Sequence, residues 1–475
     1  MRMPDDIGTV HIVGIGGIGM SAIAEVLHAR GYTVQGSDQK DGANVQRLRK
    51  LGIRVFVGHA AINLVGAHLV VISTAVKPGN PELDAARAKG LTILRRAEML
   101  AEIMRLYSTI SVTGTHGKTT TTSLIAHLLT AAGTDPTVIT GGIVLDWGTN
   151  ARLGKGRWMV VEADESDGTF VAIPTEIGVV TNIDPEHLDY FGSVENMHRE
   201  FQRFFSQIPF YGLAVACIDH PVAREMIGNL NLRADGKRLL TYGESADADL
   251  RLGRVSVAGR FTTFDAHLSA RVEGGARQLD ALRVLVPGEH NAQNALAAIA
   301  VAAEVGLTDS QIRTGLQSFA GVKRRYQPTG TWNEIEFFDD YGHHPVEIAA
   351  VLKAARAGVS RGGRVIAICE PHRYTRLRDL FSEFISAFKD ADAVIIGPLY
   401  TAGEAPIAGV SHQALAQAIA RSGHKNVRAV DAATDLAAVI RTIGRPGDTV
   451  LCFGAGQSTE WAHALPNWLT TGVAK

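Results

Sequence analysis

At 475 residues the chain is longer than one hydrophobic core usually serves, and its length suggests about three domains. A formal net charge of -1 and a pI near 7.0 argue against a nucleic-acid partner, which normally requires a basic patch or domain. The 46% apolar content, 50 glycines and 6% aromatics fit an α/β enzyme rich in strand-to-helix turns. Cys217, Cys369 and Cys452 each lie in an apolar run that reads as a buried strand, so a reducing compartment is expected and a disulfide framework is not. Met1–Gly8 lacks the basic and apolar regions of a signal peptide, and no apolar run reaches the length of a membrane span. The expected location is the cytoplasm.

Thr9–Val13 reads as a short buried strand that runs into Gly14-Ile15-Gly16-Gly17-Ile18-Gly19 and a helix to about Arg30. Gly31 closes that helix, Tyr32–Gln35 form a second strand, and Ser37-Asp38 follow it. This is a βαβ dinucleotide fingerprint, with an acid 19 residues after Gly19 that can accept from a ribose hydroxyl. Taken alone it indicates NAD; a purely structural glycine turn is the alternative. Strands follow at Arg54–Val57, Leu69–Ser73 and Leu91–Leu94, with a helix started by Asn80-Pro81-Glu82. Residues 1–107 thus form a doubly wound domain whose ligand lies near Gly16–Gly19 and Ser73–Ala75.

A helix over Ala97–Leu106 leads to the strand Ile110–Thr113 and then Gly114-Thr115-His116-Gly117-Lys118-Thr119-Thr120, which continues into a helix over Ser123–Thr130. Glycines admit backbone N–H groups to a phosphate, the helix N-terminus adds positive potential, Lys118 neutralises oxygens and Thr119 can ligate Mg²⁺. Only two residues separate Gly114 from Gly117, where the common phosphate loop has four, so a tight turn with a solvated lysine is the competing reading. The strand Trp158–Val161 ends in Glu162-Ala163-Asp164-Glu165-Ser166-Asp167, a carboxylate cluster suited to Mg²⁺. Gly178–Thr181 leads similarly into Asn182–Tyr190, where His187 is a candidate ligand.

Leu213–Ile218 is a further strand, Glu244–Asp249 reads as an exposed acidic turn, and residues 250–286 alternate as antiparallel hairpins appended to a parallel core. A helix from Gly288 to Glu304 carries His290 and Asn294 four residues apart on one face, suited to a base or ribose; Asn291 is a plain helix cap. A third domain starts at about Lys323, within the basic cluster Lys323-Arg324-Arg325. Its strands Glu334–Phe338 and Arg364–Cys369 end in Asp339–Pro345 and Glu370–Arg376, two His/Arg/Tyr-bearing loops on one sheet edge. Ala393–Ile396 and Thr449–Phe453 complete another doubly wound unit.

A dehydrogenase leaves the phosphate loop without a task, and a simple ATPase leaves the first fingerprint without one. A ligase that joins two small substrates at the expense of ATP uses all three parts. The set Gly14–Ser21, Thr113–Thr119, Glu162–Asp167, Asn182–Tyr190, His290–Asn294, Asp339–Pro345 and Pro371–Arg376 resembles the Mur ligases over essentially the whole chain, and the short phosphate loop is that family's own form. Between His187 and Pro209 there is no lysine to be carbamylated, as in the members that extend the peptide. This departure and the Glu-Ala-Asp-Glu-Ser-Asp motif point, within the resemblance, to the member that adds L-alanine to UDP-N-acetylmuramate.

The resemblance implies three α/β domains: an N-terminal Rossmann-like domain (1–107) for UDP-N-acetylmuramate, a central P-loop ATPase-like domain (108–322) with a mostly parallel sheet and appended hairpins, and a C-terminal Rossmann-like domain (323–475) for the amino acid. It implies ATP and Mg²⁺, with Mn²⁺ as an alternative. It also implies small-molecule substrates only, with no nucleic-acid or membrane partner, and a monomer or weak homodimer. ATP contacts are expected from Gly114, Thr115, His116, Gly117, Lys118, Thr119, Thr120, His290, Asn294 and Arg325, and metal ligation from Thr119, Glu162 and His187. Gly16, Gly17, Ile18, Gly19, Asp38 and Ser73 are expected at the UDP-sugar. Tyr341, His343, Arg373 and Arg376 are expected around the muramoyl carboxylate and amino acid, and Lys118, His343, Arg373 and Arg376 are the catalytic set.

Overall fold

The computed structural model describes residues 7–73, 75–166 and 168–472; Met1–Asp6, Thr74 of the Ser73–Ala75 turn and Asp167 of the acidic motif lie outside the described residues. The described residues form three sheets. The described residues pack as two compact units, one within Met1–Gly253, Asp265–Asp280 and Gln293–Ala320, the other within Arg254–Phe264, Ala281–Ala292 and Gly321–Lys475. No helix among the described residues is long and apolar enough to cross a membrane.

The first sheet has five parallel strands in the order Arg54–Val57, Val34–Asp38, Thr9–Val13, Ala67–Ile72, Thr92–Arg95. Strand order reverses between Thr9–Val13 and Ala67–Ile72, which places the ligand crevice beyond Val13 and Ile72. The second strand begins at Val34 and runs through Asp38, later than Tyr32–Gln35, because Gly36 packs flat against the Ile12 carbonyl and keeps the chain in the sheet. Asn80 caps the Pro81–Ala88 helix by accepting from the N–H groups of Glu82 and Leu83.

The ten-stranded sheet is ordered Arg277–Val284, Phe261–Leu268, Leu250–Ala258, Arg238–Gly243, Leu213–Cys217, Ile177–Val180, Ser108–Thr113, Trp158–Glu162, Thr137–Val144, Thr149–Arg152. Its central strands are parallel and nearly uniformly buried, as a sheet covered on both faces requires. Thr137–Val144 and Thr149–Arg152 make an antiparallel hairpin at its edge that the sequence reading does not anticipate. The Val194–Gln207 helix, also unanticipated, buries Phe201, Phe204 and Phe205, with Phe170 4.9 Å from Phe201 between ring centroids. Each such side chain contributes about 1.5–3 kcal/mol on leaving water.

Asp249 corrects the expected exposed turn over Glu244–Asp249. It is 2% exposed and accepts from Thr241 N (2.9 Å), Thr241 Oγ1 (3.0 Å) and Arg271 (3.0 Å), filling the step where the chain crosses between adjacent strands. Only the front of that segment is solvated. A buried carboxylate needs this density of donors to remain in place.

The third sheet is ordered Gln327–Trp332, Ile335–Asp340, Thr449–Phe453, Val365–Cys369, Ala393–Ile396, Val427–Ala429, all parallel except the first strand. The strand expected at Glu334–Phe338 extends through Asp339 and Asp340, both buried, so these acids belong to the sheet rather than the loop. The two polar loops therefore leave strands that flank Thr449–Phe453 rather than adjoin each other.

Candidate active site

The phosphate loop sits between two strand ends. The helix after it begins at Lys118, five residues before the expected Ser123, because Gly117 takes φ 81° and turns the chain directly into its first turn. A Cβ at Gly117 would stand 2.7 Å from Asn294 Oδ1, and one at Gly114 2.2 Å from Thr181 Oγ1. Asn294 is thereby placed at the loop, where its Oδ1 also accepts from Thr121 Oγ1 at 3.2 Å. The loop is braced from the next strand. Thr115 N donates to Asn182 O (3.1 Å), His116 N to Asn182 Oδ1 (2.7 Å), and Thr181 Oγ1 to His116 O (2.7 Å).

These bonds commit the Thr115 and His116 N–H groups to the protein. The donors that face a phosphate are then those of the first helical turn, which carries Thr119 and Thr120 and has no intrahelical partner for its N–H groups. The Lys118 ammonium is nearly buried and bridges the loop to the acidic motif: it donates to Gly114 O (2.6 Å), Thr115 O (2.9 Å) and Glu165 Oε1 (2.9 Å). Burial opposes its charge, but Glu165, Asp164 and Glu162 hold its pKa above the ordinary lysine value. Burial, with Asp164, outweighs the pull of Lys118 and raises the Glu165 carboxyl to about 7.

Two acid groups are suited to a metal. Glu162 Oε1 accepts from Thr119 Oγ1 at 3.0 Å, while its Oε2 accepts from Gly141 N (2.6 Å) and Thr140 Oγ1 (3.0 Å). His187, in the left-handed region at φ 54°, lies 3.7 Å from Glu165 and 3.9 Å from Glu186. Ligand atoms of Glu165, Glu186 and His187 lie within 4.8 Å of one another. A cation bound at about 2.1 Å spans ligand pairs up to about 4.2 Å apart, so these residues fit Mg²⁺ with little movement. Sequence reasoning selects Glu162 and His187 but not Glu165 or Glu186. Four carboxylates in six residues look alike until the fold shows which one meets the lysine.

At the first sheet, Gly16 N donates to Asp38 Oδ2 (2.9 Å) and Asn44 Nδ2 donates to Gly16 O (2.8 Å). Asp38 thus shapes the glycine loop with one oxygen, a task not anticipated beside the expected ribose contact. Gly17 is the N-cap of the Ile18–Ala29 helix, Ile18 is exposed, Gly19 lies beside Arg96, and Ser73 follows the Ala67–Ile72 strand into the same crevice. Beneath the loop Glu82 is completely buried; it accepts from Ser37 Oγ and from Asn63 Nδ2 (2.6 Å) and lies 3.3 Å from His11 Nε2. Burial alone would raise the Glu82 pKa, but the bonds from His11, Ser37 and Asn63 hold it down at about 2. The sequence offers no sign of this network.

In the second unit the loops after Asp340 and Cys369 assemble a histidine, arginine and tyrosine cluster. Tyr341 and His343 rings are 5.1 Å apart, His343 and His372 5.9 Å, and His372 stacks on Tyr400 at 5.3 Å. Arg376 lies 3.3 Å from His372 Nδ1, and Arg373, at φ 70°, pairs with Glu404 at 2.9 Å. Burial, followed by the charges of His343, Arg376 and Arg373, pushes His372 down to about 4, so it is neutral at pH 7. Arg325 stands over the Tyr341 ring at 5.4 Å. His290 belongs to this unit and is pushed down to about 4 by burial and by Arg325 and Lys353. Glu370 accepts from the N–H groups of Gly456, Gln457 and Ser458 at 2.9–3.1 Å, so the glycine turn after Phe453 is occupied by a carboxylate of the protein itself.

Comparison with known proteins gives the family. Residues 9–108 match the model of the Mur ligase family, catalytic domain, 112–302 the Mur ligase middle domain, and 324–456 the Mur ligase, glutamate ligase domain. A UDP-N-acetylmuramate–L-alanine ligase of Mesorhizobium japonicum is 56% identical over 469 residues, covering 99% of each chain. The crystal structure of the UDP-N-acetylmuramate-alanine ligase MurC from Thermotoga maritima superposes with a TM-score of 0.81 at 28% identity, over 98% of this chain and 100% of that one. The murein peptide ligase Mpl from Psychrobacter arcticus shares the fold, with a TM-score of 0.69 at 23% identity, over 98% of this chain and 100% of that one. The chain belongs to the Mur ligase family.

Proposed function

We propose that this protein joins L-alanine to the lactyl carboxylate of UDP-N-acetylmuramate, converting ATP to ADP and phosphate, the first peptide step of peptidoglycan precursor synthesis. The observation that carries this reading is the full-length 56% identity to a ligase with that activity in its name. The Lys118–Glu165 site at the phosphate loop supplies the matching chemistry. The carboxylate oxygen attacks the γ-phosphorus and expels ADP. The amine of alanine then attacks the acyl carbon, and phosphate departs with the former carboxylate oxygen as the nitrogen loses its proton.

The barrier to the first step is repulsion between a carboxylate and a triphosphate, and preorganised positive charge lowers it. Lys118 neutralises the β- and γ-oxygens, and the first helical turn with Thr119 and Thr120 donates N–H groups to them. Thr119 and Glu162, and separately Glu165, Glu186 and His187, would hold Mg²⁺, which supplies further charge neutralisation on the phosphates. Asn294 and His290 are assigned to the adenine side with Arg325. Gly16, Gly17, Ile18, Gly19, Asp38 and Ser73 hold the UDP moiety, and Tyr341, His343, Arg373 and Arg376 the carboxylate and amino acid. We assign domains to residues 1–107, 108–322 and 323–475 and place the reaction in the cytoplasm, where both nucleotides are available.

The test is phosphate release from ATP and Mg²⁺ with UDP-N-acetylmuramate against a panel of amino acids and the preformed tripeptide. Strongest stimulation by L-alanine supports the reading. Preference for tripeptide, or turnover without UDP-N-acetylmuramate, contradicts it.

A further inference from the structure

The Thr137–Arg152 hairpin ends at two sites. Near its first strand's middle, Gly141 N donates to Glu162 Oε2 at 2.6 Å and Thr140 Oγ1 to the same oxygen at 3.0 Å, while Thr119 Oγ1 of the phosphate-loop helix donates to Glu162 Oε1 at 3.0 Å. Gly141 allows this approach: a Cβ there would lie 2.6 Å from Glu162 Oε1. On the returning strand Asn150, 1% exposed, donates through Nδ2 to Ile18 O at 2.9 Å, and Ile18 begins the helix that the glycine loop opens. Arg47 secures Asn150 from the far side at 3.3 Å and is itself held by Glu25 at 2.7 Å. Asn44, on the same helix as Arg47, donates to Gly16 O at 2.8 Å.

A continuous chain of short polar contacts therefore runs from Gly16 and Ile18, through Asn150 and the hairpin, to Gly141, Glu162 and Thr119. It passes entirely through one compact unit. Ile18 O also accepts from Ser21 Oγ at 3.0 Å, but the buried Asn150 amide would lose its acceptor if the helix end moved away, and that cost ties the start of the helix to the hairpin. The two strands pair at Val138–Arg152 and Ile139–Ala151 and again at Val144–Thr149, with a register shift between Ile139 and Val144, so the Ile139–Ala151 pair ties the neighbour of Asn150 to the residue just before Thr140 and Gly141.

We infer that this hairpin is a strut coupling the UDP-sugar loop to the acid beside the phosphate loop, with Asn150 as the positioning residue at its joint. Asn150 touches neither reacting group; it sets where Ile18 and Gly19 stand relative to Glu162. A ligand that settles the glycine loop then settles Gly141 and Glu162, and by reciprocity a nucleotide with Mg²⁺ on Thr119 settles the glycine loop. The inference rests on the UDP-N-acetylmuramate reading given above.

The test uses full-length protein and calorimetric titration of a non-hydrolysable β,γ-imido ATP analogue with Mg²⁺, with and without saturating UDP-N-acetylmuramate. In the native chain the UDP-sugar should change analogue affinity by at least about fivefold, the lower end of ordinary coupling. Asn150→Ala, and Asn150→Asp, which keeps the acceptor for Arg47 but removes the donor to Ile18, should bring that ratio to within about twofold of one. Both should bind the analogue alone with native affinity and melt as cooperatively as the native chain, which a merely destabilised variant would not. Retention of the native ratio in Asn150→Asp, or a native ratio of one despite UDP-sugar binding, overturns the strut. Failure of the native chain to bind UDP-N-acetylmuramate at all overturns the substrate reading with it.

Discussion

Replacing Lys118 with alanine separates the charge that the site supplies to chemistry from the charge that it supplies to the fold. The ammonium makes contacts of 2.6–2.9 Å with Gly114 O, Thr115 O and Glu165. Losing one preorganised cation at a developing anion costs about 10²–10³ in kcat, or roughly 2.7–4 kcal/mol. Removing one partner of a buried ion pair ordinarily costs about 3–5 kcal/mol of stability. Here the loss should be smaller, about 1–2 kcal/mol for the hydrogen bonds, because the Glu165 carboxyl already stands at about 7 and takes up a proton at neutral pH once the ammonium is gone.

That escape has a signature in pH. Lys118 lowers the Glu165 pKa, so in Lys118→Ala it rises above about 7, against an unfolded value of 4.5. A group raised in the fold binds more protons folded than unfolded, so its stability contribution is complete below 4.5 and is lost as pH rises through the folded value. The deficit of Lys118→Ala relative to the native chain should therefore widen as pH rises past about 7. Thermal melts across pH with phosphate release at each point measure both effects. A folded variant with kcat within about threefold of native, against the hundredfold or greater loss expected for a preorganised charge, or a stability deficit independent of pH, would refute the assignment of Lys118 and its pairing with Glu165.

Three further outcomes follow from the same geometry. Gly117→Ala forces a side chain into φ 81° and 2.7 Å from Asn294 Oδ1; denaturant unfolding should show a loss of about 1–3 kcal/mol, with a raised KM for ATP, and Asn294→Ala in the same chain should restore part of the stability but not the KM. His187→Ala removes one of three groups within 4.8 Å and should raise the Mg²⁺ concentration for half-maximal turnover by about tenfold or more, while UDP-N-acetylmuramate binding without metal is unchanged. Glu82, lowered from 4.5 to about 2, contributes stability that is present above 4.5 and lost as pH falls toward 2, on the order of 3 kcal/mol. Glu82→Gln should flatten that acid limb in equilibrium unfolding, and an unchanged slope would count against the network.

Much of this is legible in the chain itself. Period and flanking turns locate the strands that precede the glycine loop, the phosphate loop and the acidic motif, because each is an almost wholly buried short run that passes straight into glycines or acids. The hairpin is not legible, because Gly141 and Gly142 interrupt Thr137–Val144 and read as a loop, yet Gly141 is needed for close approach to Glu162. Gln327–Trp332 is hidden similarly, since Pro328 and Gly330 argue against a strand and are tolerated only at the sheet edge. Glu165 and Glu82 require tertiary distances: one meets Lys118 from 47 residues away, the other Ser37 from 45.

The most direct test of the central claim is the fate of oxygen. UDP-N-acetylmuramate labelled with ¹⁸O in its lactyl carboxylate is turned over with ATP, Mg²⁺ and L-alanine, and the released phosphate is analysed by mass spectrometry. Attack of the carboxylate on the γ-phosphoryl group predicts one ¹⁸O in each phosphate released. Unlabelled phosphate, accompanying an amide product made at the same rate, would contradict the account.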